Sequence, residues 1–62
     1  MTVYFEFNNW DPEIQKLSNL LEFNRILHRV NFTSRGTSIS IVNPNVSKLR
    51  SLTSHRMKRV NS

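Results

Sequence analysis

The sequence predicts a small α+β domain in the order β-α-β-α, two short strands and two helices. Three observations predict it. Two runs, at 2–8 and 37–42, alternate apolar and polar residues as half-buried strands do. Each run is followed by an Asx-Pro helix start. Behind each start, apolar residues recur at helical spacing.

In the first strand, Val3, Phe5 and Phe7 alternate with Tyr4, Glu6 and Asn8. The first helix is predicted over 12–30. Asp11 accepts a hydrogen bond from the free amides of the first turn. Pro12 brings a fixed φ to a position where its missing N–H costs nothing. Glu13 suits the positive end of the helix dipole. Ile14, Leu17, Leu20, Leu21, Phe23, Ile26, Leu27 and Val30 then cover roughly twice the ~100° arc of a singly buried helix, so cover is expected on two sides. Gln15, Ser18, Glu22, Arg25 and Arg29 form the polar stripe, with Glu22 and Arg25 spaced to pair.

A turn at Thr33-Ser34-Arg35-Gly36 follows, with Gly36 at a left-handed position. The second strand alternates Ile39 and Ile41 with Ser38 and Ser40. The second helix is predicted over 44–59, capped by Asn43. Val46, Leu49, Thr53, Met57 and Val60 line one side, and Lys48, His55, Lys58 and Arg59 another. The helix starts share the pattern [DN]-P-x-[IV]-x-K-L-x-x-L, from Asp11 and again from Asn43. Two independent helix caps explain this more simply than a duplication.

The 62 residues make one domain, 1–62, with residues 60–62 expected to fray. A chain this short buries only about 60% of its unfolded surface. There is no cysteine, and His28 and His55 stand far apart, so neither a disulfide nor a metal is predicted, and no cofactor. A two-stranded sheet alone is barely stable. Oligomerisation, as a homodimer, is therefore expected to complete the fold. No apolar run approaches the ~18 residues of a membrane span, and no signal peptide is visible. Cysteine-free composition is compatible with a cytoplasmic location, that of a host cell if the protein is viral.

Charge carries the strongest functional signal. All four acids lie in the first 22 residues, while the other 40 hold eight basic residues and no acid, within a net charge of +5. Such a field attracts polyanions and acidic surfaces. Arginine's planar fork suits phosphate and carboxylate. The residues expected to bind are Arg35, Lys48, Arg50, His55, Arg56, Lys58 and Arg59, mostly from the second helix. Phosphate contacts of this kind give salt-dependent binding to DNA or RNA. Tyr4 and Trp10 are candidates for stacking on unpaired bases, although Trp10 is expected to pack on the first helical turn.

Enzyme chemistry is not expected. Asp11 and Glu13 are absorbed by the helix start, and a chain with one glycine has no phosphate loop. His28 reads as a partly buried histidine satisfied by a backbone carbonyl. Helix-turn-helix binding needs a shorter connection between the helices. The main rival is an inhibitor or adaptor docking on an acidic surface of a larger protein. Binding to a membrane surface is weaker, because the second helix lacks large interfacial aromatics. In length and lack of motifs the chain is similar to small accessory proteins of phages and mobile elements.

Overall fold

A computed structural model describes residues 1–60. Six elements follow in order: β1 (Thr2–Phe7), α1 (Pro12–Phe23), β2 (Arg29–Thr33), β3 (Gly36–Val42), α2 (Val46–Leu52) and β4 (Lys58–Val60). The four strands form one antiparallel sheet in the order β2-β3-β1-β4. This is an α+β fold, but its order is β-α-β-β-α-β. Two β-α-β units interleave, a split β-α-β connectivity.

The alternation of β1 and β3 does what the sequence predicts. Val3, Phe5, Ile39 and Ile41 turn to one face and are buried, joined by Leu17 and Leu21 of α1 and Leu49 of α2. Fully burying a side chain of this kind stabilises by about 1.5–3 kcal/mol. Both helices cover this face. The opposite face carries no element among the described residues.

Two helices and the strand count depart from expectation. α1 stops at Phe23 instead of continuing to residue 30. Arg25 adopts φ 57°, and its N–H donates to the Glu22 carbonyl (3.0 Å) while the Ile26 N–H donates to the Leu21 carbonyl (2.9 Å). This is a Schellman exit, with arginine at the left-handed position that glycine usually fills. Residues 29–33 then alternate Val30 and Phe32 against Arg29, Asn31 and Thr33, and pair with β3 as a third strand. The wide apolar arc of the expected helix thus belonged to two elements. Ile26 and Val30 reach the core from outside α1, whereas Phe23 and Leu27 are exposed. Glu22 and Arg25 form no ion pair.

The second helix covers Val46–Leu52, not 44–59. Its cap is Asn45, whose side chain accepts from the Lys48 N–H at 3.1 Å. Asn43, the expected cap, sits at φ 49° and instead binds the chain start: its N–H donates to the Met1 carbonyl and its Oδ1 accepts from the Met1 amino group. The repeated Asx-Pro motif is therefore read two ways. Asp11 caps directly and accepts from the Glu13 N–H at 2.9 Å, while the second copy caps two residues later. Beyond Leu52 the chain turns, and Lys58–Val60 pairs with β1 as the fourth strand. Val60 lies opposite Thr2, so the first residue of the expected frayed tail is paired; residues 61–62 lie outside the described residues.

Gly36 opens β3 rather than sitting inside the turn. A Cβ there would lie 2.6 Å from the Phe7 carbonyl oxygen, so close approach of β1 is what requires glycine. With four strands and a closed core, the two-stranded argument for a dimer no longer applies. Among the described residues, every buried side-chain polar atom has a partner. No described helix is long and apolar enough to cross a membrane.

Candidate nucleic-acid interface

Directly paired residues of an antiparallel sheet share a face. On the helix-free face, Tyr4 pairs with Ser40 on one side and Lys58 on the other, and Ser40 pairs with Arg29. One row thus crosses all four strands: Arg29, Ser40, Tyr4, Lys58. Strand spacing puts the Cα atoms of Arg29 and Lys58 about 14 Å apart, with the tyrosine between them. The next row is Asn31, Ser38 and Glu6. An open concavity of about 640 Å³ lies beside these rows, lined among others by Tyr4, Glu6, Asn8, Arg35 and Ser38.

This face is not uniformly basic. The Lys58 ammonium donates to the Glu6 carboxylate at 3.0 Å. The bridge is exposed, and pairs of this kind contribute little to stability. Its consequence is local: a carboxylate stands where a phosphate would approach Lys58.

The expected binding residues separate into three places. Lys48 and Arg50 are exposed on α2, in the helix layer on the far side of the sheet. His55 and Arg56 lie in the loop between α2 and β4. The His55 ring meets Phe7 edge to face at 5.1 Å, and its Nε2 is 3.5 Å from the Glu13 carboxylate. Arg59 lies opposite Val3, on the helix side, and is exposed. Only Lys58 and Arg35 join Tyr4 on the helix-free side, Lys58 in its row and Arg35 at the hairpin tip lining the same concavity. The single basic helix face expected over 44–59 does not form, because the helix ends at Leu52.

Arg29, on the polar stripe of the helix that the sequence predicts and outside the expected binding set, lies instead in β2 on the helix-free face. Its signal was the alternation of residues 29–33, hidden by the helical periodicity running into it. His28 behaves as expected: its Nδ1 donates to the Ile26 carbonyl (3.0 Å), which leaves Nε2 to accept from the Ser18 hydroxyl (2.9 Å).

Trp10 corrects an expectation. It does not pack on the first helical turn but is 97% exposed, at φ 69°. The turn is closed by the Asp11 N–H on the Asn8 carbonyl (3.2 Å). Asn9 fixes it to the sheet: its amide donates to the Thr33 carbonyl (2.9 Å), and its Oδ1 accepts from the buried Thr37 hydroxyl (2.6 Å). Trp10 and Phe32, the latter 76% exposed, line one small cleft. A bulky residue held at positive φ is a costly arrangement.

No protein-family model matches the chain, and neither a curated protein nor a solved structure matches it.

Proposed function

We propose that the protein is a non-catalytic, nucleic-acid-binding accessory protein that holds a single strand across the helix-free face of its sheet. The observation that carries this reading is the row Arg29, Ser40, Tyr4, Lys58. An aromatic ring at the centre of an open sheet suits an unstacked base, and a cation on each edge strand suits the backbone on either side. Ser38, Ser40 and Asn31 add hydrogen-bonding groups that tolerate many bases. Arg35 extends the positive groove past the hairpin tip. The net charge of +5 supplies the attraction at longer range. On this face a duplex, whose bases are stacked inside, meets none of the described helices that could enter its groove.

The test is fluorescence anisotropy with labelled single-stranded RNA, single-stranded DNA and a mixed-sequence duplex at low salt. Single strands should bind more tightly than duplex, and affinity should fall with added salt. Tyr4→Ala should weaken binding by about tenfold or more, the usual value of one base–aromatic stack. Glu6→Gln should tighten it by freeing Lys58. Reversing Lys48 and Arg50 to glutamate should have a smaller effect than Tyr4→Ala. Absence of any binding at low salt rejects the reading. A larger loss from the helix pair than from Tyr4 moves the surface to α2.

A second reading, docking as an inhibitor or adaptor on an acidic protein surface, is favoured by one observation. Trp10 and Phe32 stand exposed together along one cleft, and tryptophan is enriched at the energetic centres of protein interfaces. Capture from a nuclease-treated lysate that is lost on Trp10→Ala, with nucleic-acid binding absent, would select it.

A further inference from the structure

The two outer strands of the sheet are treated differently, and the difference points to a second copy of this chain. An edge strand exposes unpaired N–H and C=O groups, which proteins normally guard with short length, charge, proline or a bulge. β4 is guarded: it has three residues, and two of them are Lys58 and Arg59. β2 is guarded less: it runs five residues, Arg-Val-Asn-Phe-Thr, with a single charge at its first position and no proline, and pairs in continuous register with β3. Its other side has no neighbour among the described residues.

The ladder fixes which groups are free. The two-residue turn Ser34-Arg35 is flanked by the pair Thr33 and Gly36. In such a hairpin the flanking pair is hydrogen-bonded, and bonding alternates from there. Thr33, Asn31 and Arg29 therefore bond inward to β3, and the amides and carbonyls of Val30 and Phe32 point outward.

We propose that β2 pairs antiparallel with β2 of a second copy, about a twofold axis at Asn31, to form a continuous eight-stranded sheet. In this register Val30 of each copy faces Phe32 of the other, and the outward groups of both residues are satisfied reciprocally. The interface is self-complementary and closes at two copies. On the helix side, the two Val30–Phe32 pairs form one apolar cluster that covers Phe32, now 76% exposed. On the helix-free side, Asn31 meets Asn31, and Arg29 meets Thr33 rather than another arginine. Leu27, 91% exposed and two residues before β2, is further apolar surface on the approach to this edge.

The proposal is independent of nucleic-acid binding, and salt separates the two. Two copies of net charge +5 repel, so salt should strengthen the dimer, whereas it weakens binding to a polyanion. The experiment is sedimentation equilibrium on the full, nuclease-treated chain without nucleic acid, from low micromolar to millimolar concentration, at low and high salt. A monomer–dimer equilibrium that shifts toward dimer with salt is expected. Phe32→Lys, which keeps the strand but charges its face, should raise the dissociation constant at least tenfold while the circular dichroism spectrum is unchanged. Phe32→Pro, which removes an outward N–H and not a ladder bond, should do the same. Arg59→Ser on the guarded edge should not weaken the dimer. A monomer at every concentration in high salt overturns the proposal. So does a dimer indifferent to both Phe32 variants, or open-ended assembly instead of a closed pair.

Discussion

The two interleaved β-α-β units share a connectivity and differ in how each is built. The first, Thr2–Thr33, has a twelve-residue helix that buries Leu17 and Leu21, a direct Asp11 cap and a Schellman exit. The second, Gly36–Val60, has a seven-residue helix that buries Leu49 alone and ends in a three-residue strand. Charge divides between them too. Residues 1–33 hold four acids and three bases, and residues 34–62 hold six bases and no acid. Neither unit pairs its own strands: the second supplies β3, the partner of both β1 and β2, and the first supplies β1, the partner of both β3 and β4. β3 lies between β2 and β1, and β4 lies against β1. The interleaving also brings acids of the first unit against basic side chains of the second, as in the Lys58–Glu6 and His55–Glu13 contacts.

If the halves are one cooperative unit, damage to either should unfold both. Leu21→Asp places an unpaired charge at a fully buried position in the first unit and should abolish the folded state, read as loss of the thermal transition by circular dichroism. Leu49→Ala in the second unit should cost about 2–5 kcal/mol in a single denaturant transition. A biphasic curve, with α1 surviving, would break the comparison by showing that the first unit stands alone.

Smaller changes test the seams. Asn9→Ala removes two hydrogen bonds between the β1–α1 loop and the β2–β3 hairpin and leaves the Thr37 hydroxyl buried without a partner, for about 1–3 kcal/mol. Equal stability of this variant in urea would show that the loop is held by other contacts. The helix caps compare the units most directly: Asp11→Ala and Asn45→Ala should each cost about 1 kcal/mol. The smallest effect has the opposite sign. Arg25→Gly relieves a left-handed arginine and should stabilise by about 0.5–1 kcal/mol, seen as a small rise in Tm. A fall would mean that the arginine side chain contributes more than its backbone costs.

The central strands and the start of α1 were legible because their signals are local. Val3 and Phe5 alternate with polar neighbours, and Asp11-Pro12 marks a helix start by its own chemistry. Each edge strand was missed for the same reason. Val30 continues the helical spacing of Ile26 and Leu27, and Met57 that of Leu49 and Thr53, so apolar periodicity ran past the true helix ends. Arg25 gave no warning, since the exit it occupies normally announces itself with glycine. Of the candidate site, Tyr4, Arg35 and Lys58 were legible as residues, whereas their common face was not.

By itself, the sequence determined which side of β1 and β3 is apolar, where the first helix begins, that no disulfide can staple the chain, and that its charge is strongly positive toward the tail. Only the tertiary structure decided that Lys58 stands beside Glu6, 52 residues away, and that Arg29, Tyr4 and Lys58 share one row. The reason is physical. Alternation fixes a strand's faces through its own backbone geometry, but a strand's neighbour is set by hydrogen bonds that any extended segment of the chain can offer, and that choice is made by the packing of the whole.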